Sequence, residues 1–407
     1  MTLRVDAARL HGRIAELATI GDTGDGGNCR LALTDDDKAG RDLLVTWMRD
    51  LGLRIDIDAI GNITGTWPAD ATEPPVMCGS HIDTVRTGGR YDGNLGVLAG
   101  LEVIETVITQ GVVLARPLCV GIFTDEEGSR FAPDMLGSLV FVGGMAVEEA
   151  LDITDRDGLV LGDELARIGY AGPLPCPRAT PHAYVELHVE QGPVLESTGT
   201  TIGAVTGIQG ISWQEITITG QPNHAGTTPM HLRRDAGLVA AQIAVAAREL
   251  TDTSSGPNVA TVGRLDLHPD LVNVVAGRAI LTLDMRDTDD AVLAAAEEHM
   301  AIICAELAAD EQVTIETRSL ARFEPVAFDE DMVRLVEDVA IIHGHSVMHL
   351  PSGAGHDAQM LARVCPSGMV FVPSVGGISH NPAEYTREEH VEAGANVLLE
   401  LMVRLAE

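Results

Sequence analysis

The feature that most constrains this chain is that its short apolar runs each stop at a histidine or an acid. Val76–Gly79 leads into Ser80-His81-Ile82-Asp83, and Leu118–Thr124 leads into Asp125-Glu126-Glu127. Tyr184–Val189 carries His188 and ends at Glu190, while Gly368–Pro373 precedes a loop with Ser379-His380. Such runs read as buried strands. With Arg54–Asp58 and Asn62–Trp67 as further strands, they alternate with helical periodicities at Ala39–Leu51 and Leu95–Ile108. That alternation predicts a mainly parallel sheet covered by helices. Ligands of an open α/β sheet gather outside the carboxyl ends of its strands. Asp92, in Tyr91-Asp92-Gly93-Asn94 just before the second helix, falls in the same crevice.

The pattern changes near Ile211. Strand Ile211–Thr219, helix Arg234–Leu250, strands Asn258–Asp266 and Asn273–Asp287, helix Asp290–Ala308 and strand Gln312–Ser319 follow in turn. That β-α-β-β-α-β order is the split βαβ of a ferredoxin-like domain. Alternation resumes with helix Asp331–His343, strand Gly368–Pro373 and helix Glu388–Leu405. The reading is an α/β domain over residues 1–210 and 324–407, interrupted by a small domain at 211–323.

Composition narrows the function. The 407 residues carry a formal net charge of −33. A nucleic-acid binder needs a basic face, and an anionic membrane repels so acidic a surface. Lys38 is the only lysine. It sits in Asp35-Asp36-Asp37-Lys38, which reads as a solvated turn, so neither Schiff-base chemistry nor a P-loop has its lysine. The six scattered cysteines contain no C-x-x-C and read as thiols of a reducing compartment. The first seventeen residues show helical apolar spacing, not the apolar core of a signal peptide, and no run is long enough for a membrane span. A soluble cytoplasmic protein is expected.

Imidazoles and carboxylates in this mixture suit borderline divalent metals, and two such ions can share one carboxylate and activate water. A vicinal Glu-Glu allows one side chain to bind metal while its neighbour takes a proton. Taken singly, His81 or His380 reads as a satisfied histidine and Glu126-Glu127 as a solvated loop; their joint position at strand ends reverses that reading. His343-Gly344-His345 with His349 straddles a helix end and a strand start, and reads as satisfied caps. Thr154–Gly158 imitates a calcium loop but would place Ile153 at the first ligand position.

These residues resemble the amidase, hydantoinase/carbamoylase family of the co-catalytic metallopeptidase clan. Its members include N-carbamoyl-L-amino-acid hydrolases, allantoate amidohydrolases and β-ureidopropionases. The resemblance rests on GSHIDTV (79–85), YDGNLGV (91–97), FTDEEGSRF (123–131), ELHVEQGPVLE (186–196), GQPNHAGTTPM (220–230), MRDT (285–288) and GAGHDAQ (353–359). It implies one metal on His81, Asp92 and His188 and another on Asp92, Glu127 and His380, with Asp92 shared. Zinc or manganese is implied, with nickel and cobalt as alternatives. It further implies Asp83 as the group orienting His81 and Glu126 as general base. His224 becomes an oxyanion donor reaching the neighbouring subunit's site from an inserted lid that forms a homodimer. Asn273 and Arg286 become the clamp on the substrate carboxylate, with Gln191 and Gly355 lining the pocket. Histidine at 188 points to the ureido-hydrolysing branch; a carboxylate there would favour an aminoacylase or dipeptidase. A non-catalytic binding protein would be expected to lack Glu126 or a ligand. The substrate implied is an N-carbamoyl-L-amino acid, with allantoate and β-ureidopropionate as alternatives.

Overall fold

A computed structural model describes residues 3–252 and 258–407. Its chain divides into two units, Met1–Thr206 with Phe328–Glu407 and Gly207–Ala327. The first begins with helices Ala7–Leu17 and Asp35–Asp50 and strands β1 (Arg54–Ile57), β2 (Ile63–Trp67) and β3 (Val76–His81). Helix Asn94–Gln110 and strands β4 (Leu118–Phe123), β5 (Ala183–Val189) and β6 (Ile202–Ile208) follow. The second unit runs from β7 (Gly210–Thr219) through β8 (Asn223–His224), helix Ala236–Asp252, β9 (Val259–His268), β10 (Val274–Val275) and β11 (Arg278–Asp287). It closes with helix Asp290–Asp310, β12 (Thr314–Phe323) and β13 (Val326–Ala327). Helix Glu330–Ile342, β14 (Val347–Ser352), β15 (Ser367–Val372) and helix Glu388–Ala406 complete the first unit.

The larger sheet has the order β1-β2-β4-β3-β5-β15-β6-β13, with β14 beside β6. Its centre, β4-β3-β5-β15, is parallel, and the pairs β1-β2, β2-β4, β15-β6 and β6-β13 are antiparallel. Every residue of β3, β4, β5 and β15 is buried. That is why these segments are continuous apolar runs and not alternating ones. Being parallel, they open their carboxyl ends on one edge, where His81, Asp125, His188 and the 373–380 loop emerge.

The smaller unit carries a four-stranded antiparallel sheet, order β12-β7-β11-β9. Ala279, Leu281, Leu283 and Met285 of β11 pack against Val239, Ile243 and Met300 of its two helices. The intervening β11 residues, Arg286 among them, therefore face the other side. A separate two-stranded ribbon pairs β8 with β10.

Three sequence expectations change. Asp35–Lys38 is no solvated turn: it is the first turn of helix Asp35–Asp50, capped by Thr34, whose side chain accepts the Asp37 N–H. A threonine followed by acids is an N-terminal helix signal, because the cap and the helix dipole both favour it. Asp37 is fully buried and accepts from Leu33 N and Arg41 Nε, each at 2.8 Å. The single strand expected over Asn273–Asp287 is broken after Val275, and the longer strand starts only at Arg278. Finally, β6 was not anticipated. All six cysteines are free, and among the described residues no helix is long and apolar enough to cross a membrane.

Candidate metal centre

His81 is the last residue of β3, and its ring is held from below. Gly93 adopts φ 65° at the start of helix Asn94–Gln110, and a β-carbon there would lie 2.4 Å from the His81 ring. Only glycine permits both the conformation and the approach. His81 Nδ1 lies 2.9 Å from the Asp83 carbonyl, and His188 Nδ1 lies 2.8 Å from the Val189 carbonyl. With Nδ1–H donated to a main-chain oxygen, each ring presents an Nε2 lone pair to the crevice. The Gly93 N–H, 3.2 Å from His188 Nε2, is compatible only with that neutral tautomer.

Asp92 stands between two sets of donors. Its Oδ1 is 3.2 Å from His188 Nε2 and 3.7 Å from His81 Nε2, while its Oδ2 is 3.3 Å from His380 Nε2. The vicinal glutamates diverge: Glu126 Oε2 is 3.3 Å from His81 Nε2 and Glu127 Oε2 is 3.3 Å from His380 Nε2. In each of the sets His81-Asp92-His188 and Asp92-Glu127-His380, the donor atoms lie within 4.8 Å of one another. Glu186, His188 and His356 form a third such set. Its glutamate, however, is already engaged by Ser80 Oγ at 2.6 Å and Ala358 N at 2.9 Å.

The electrostatics fit cations. Burial, then the charges of Asp357, Glu127, Asp83 and Asp92, pushes Glu126 well above the ordinary carboxylate range. Burial, then Asp92 and Asp83, does the same to Glu127. Burial also acts to raise Asp92, but hydrogen bonds to His188 and His380 outweigh it and hold that carboxyl well below the ordinary range. For His188, burial is opposed by the Asp92 hydrogen bond, and the ring is raised to about 9. The Gly93 N–H opposes that proton, and a cation among these atoms would take its place. Buried carboxylates crowded around imidazoles that aim lone pairs inward are the donor set of a divalent metal centre.

The other anticipated residues distribute as follows. The Asp83 carboxylate lies 3.9 Å from His81 Nδ1 and instead accepts the Glu126 and Glu127 N–H groups at 3.3 and 3.2 Å. The hydrogen bond to His81 thus comes from the Asp83 backbone, and its carboxylate sets the glutamate pair. Gln191 sits at φ 58° with Nε2 2.8 Å from Asp92 Oδ2, and its buried Oε1 has no protein partner. Glu190 is not a ligand; it accepts the Val194 and Leu195 N–H groups at 2.7 and 2.8 Å. Gly355 precedes His356, whose ring centroid is 4.4 Å from that of His188.

In the smaller unit, His224 pairs with Val274 across the β8-β10 ribbon, and Ala225 N donates to the Asn273 carbonyl at 2.9 Å. Residues 49 apart in sequence are thereby neighbours, and both are exposed. Arg286 donates to the Asp284 carboxylate, with Nη2 at 2.8 Å, and lies 6.0 Å from the Trp213 ring.

Sequence reasoning passed over Arg30, His356, Ser379 and Glu384. Arg30 is fully buried and donates to the carbonyls of Ile82 (2.8 Å), Ile20 (2.7 Å) and Leu17 (3.3 Å) and to Asn94 Oδ1 (2.8 Å). It ties the His81-Asp83 segment to the start of the helix after Asp92. His356 stands within the GAGHDAQ motif already noted, so a search for polar residues beside the ligands would have found it.

A central parallel sheet with paired imidazole and carboxylate sets at its strand ends defines a class. The chain belongs to peptidase family M20/M25/M40, whose model matches residues 77–404. Within it the chain falls with the hydantoinase/carbamoylase amidases. It is 41% identical over 409 residues to an N-carbamoyl-L-amino-acid amidohydrolase of Rhizobium meliloti, covering 99% of this chain and 97% of that protein. It is 33% identical over 395 residues to the allantoate amidohydrolase of Bacillus subtilis, covering 96% and 95%. The crystal structure of a hydantoinase/carbamoylase family amidase from Burkholderia multivorans matches with a TM-score of 0.96 at 47% identity, covering 100% and 99% of the two chains.

Proposed function

We propose that this chain hydrolyses the ureido C–N bond of an N-carbamoyl-L-amino acid. The products are the amino acid and a carbamate that breaks down to carbon dioxide and ammonia. The observation that carries the reading is Asp92, with one oxygen toward His81 and His188 and the other toward His380. His81, Asp92 and His188 would hold one divalent cation, and Asp92, Glu127 and His380 another; zinc or manganese suits these donors, as do nickel and cobalt. Bound there, the ions supply Lewis acidity and make water a nucleophile at neutral pH.

Glu126 lies outside both ligand sets. It takes the proton of the attacking water and returns it to the leaving nitrogen. Asp83, by holding the Glu126 and Glu127 amides, keeps the base and its ligand neighbour apart. The smaller unit, read as a ferredoxin-like lid, would form a homodimer and present His224 to the oxyanion in the partner's site. Asn273 and Arg286 would hold the substrate carboxylate, the guanidinium fork matching its two oxygens. Gln191 and Gly355 would line the pocket. Exposed Met230, Leu232, Leu271 and Val272 flank the His224-Asn273 ribbon in sequence, which supports a surface covered by a partner. Free thiols fit a reducing, cytoplasmic setting.

The likeness to an allantoate amidohydrolase favours a second reading, because allantoate and β-ureidopropionate share the ureido and carboxylate groups. Ammonia release from N-carbamoyl-L-amino acids, allantoate and N-carbamoyl-β-alanine, each with the metal varied, separates the readings. Turnover of allantoate alone would replace the first by the second.

A further inference from the structure

We propose that Glu384 is a positioning residue that sets the shared carboxylate Asp92 and, through it, the retention of a cation on the His380 side. This rests on the reading of Asp92 as a ligand common to two cations.

Glu384 lies four residues beyond His380 and is 5% exposed. Its Oε1 accepts two consecutive main-chain amides, Tyr91 N at 2.9 Å and Asp92 N at 3.1 Å. Its Oε2 is 3.0 Å from Ser379 Oγ, and that same hydroxyl is 3.0 Å from Asp92 Oδ2. A hydroxyl has one proton, so it is shared between two carboxylates and fixes their separation. Every side-chain bond of Glu384 therefore ends on the loop that carries Asp92 or on the residue preceding His380. None serves to cap a helix or close a surface turn.

The surroundings are shaped to admit this carboxylate. A β-carbon on Gly89 would lie 2.3 Å from Glu384 Cδ, so the loop preceding Asp92 wraps directly onto the carboxyl group. Glu384 N also donates to the Asn381 carbonyl at 2.9 Å, closing the turn that follows His380. His380 itself sits at φ 53°, a left-handed conformation that strains a non-glycine residue and persists only where neighbours enforce it. Glu384 joins two segments nearly three hundred residues apart in sequence, and they meet at Asp92 Oδ2. The His81 side has its own supports: the Asp83 and Val189 carbonyls on the two imidazoles do not depend on Glu384.

The test titrates the metal-free full chain with cobalt(II) by calorimetry, following the visible spectrum of each bound ion. Glu384→Gln keeps an oxygen for the two amides and an amide donor for Ser379. Glu384→Asp keeps the charge but shortens the reach by one methylene, and Glu384→Ala removes both. Positioning predicts that the wild type and Glu384→Gln bind a second cobalt ion within about threefold of each other. Glu384→Asp and Glu384→Ala should bind it about 10- to 100-fold more weakly, the usual range for a group behind the ligands. The first ion should be retained in all of them. Unchanged second-site affinity in Glu384→Asp and Glu384→Ala overturns the proposal. So does a Glu384→Gln protein weaker than Glu384→Asp, since charge and not hydrogen-bond placement would then be at work. Should Glu384→Ala fail to fold, the Gln–Asp comparison decides alone. A wild type that binds only one ion refutes the shared-ligand reading itself, an outcome distinct from the others.

Discussion

Replacing Glu126 by glutamine changes one oxygen to an NH2 group and leaves the side chain's length and shape intact. The two ligand sets are His81-Asp92-His188 and Asp92-Glu127-His380, and neither includes Glu126. Its nearest contact among them is His81 Nε2 at 3.3 Å, on the face of the ring that the Asp83 carbonyl directs into the crevice. Two bound cations should therefore remain in Glu126→Gln. What disappears is a carboxylate 3.3 Å from His81 Nε2 that neither ligand set uses. A positioned general base is worth about two to four decades in rate, or ~3–5 kcal/mol of barrier. Turnover should fall by that factor while metal content, measured by mass spectrometry of the dialysed protein, stays at the wild-type value. Glu127→Gln should show the converse: the His380-side cation is lost first, and activity recovers partly with excess metal. Loss of metal from Glu126→Gln with retention in Glu127→Gln would mean the two glutamates have exchanged roles.

The metal-free protein should lose stability as pH rises. Burial raises Glu126 and Glu127 well above the ordinary carboxylate range and Glu384 to about 7. Between roughly pH 4 and those values the folded chain holds protons that the unfolded chain has released, so each pH increment favours unfolding. Thermal scans from pH 5 to 9 should show a falling midpoint without metal and a flatter one with it; a midpoint without metal that climbs over this range contradicts the account. Arg30→Met leaves the Ile82 carbonyl and Asn94 Oδ1 without their donor at about 1–3 kcal/mol each, so about 2–6 kcal/mol should appear in the denaturant midpoint. Arg30→Lys should not restore it, because an ammonium cannot span acceptors on three segments; a loss under about 1 kcal/mol would remove Arg30 as a brace. His224→Ala should keep its metal but turn over about 10²–10³-fold more slowly. Mixing it with Glu126→Gln should regenerate activity through hybrid sites, and verified subunit exchange without recovery would place His224 in its own subunit's service or in none.

What could be read in advance depended on whether the decisive contacts lie along the chain or across it. Strands β3, β4, β5 and β15 were legible because burial on both faces makes them uninterrupted apolar runs, and the polar residues ending them stand out. Strand β6, with Gly203 and Gly207 inside IGAVTGI, lacks the bulk that marks a strand. The acidic run at Asp35 was misread because solvation and N-terminal helix placement produce the same composition; only the preceding Thr34 distinguishes them. Asn273 and Arg286 looked like one strand because Gly277, where the chain turns, is a single residue in an apolar stretch. Glu384 and Arg30 were invisible for a different reason. Most of their partners are main-chain amides and carbonyls, and those have no letter in a sequence.

That same use of the main chain has a consequence for how this centre varies. The groups that orient His81 and His188 are the carbonyls of Asp83 and Val189. No substitution at either position deletes a carbonyl, so the direction in which these imidazoles offer their lone pairs is inherited from strand geometry and insulated from point mutation. Side chains around the crevice can drift toward a new acyl or ureido substrate without first having to preserve the tautomers. Positions held by side chains alone, at Ser379 and Glu384, have no such protection. Drift in this lineage should therefore loosen the His380 half of the centre before it touches the other.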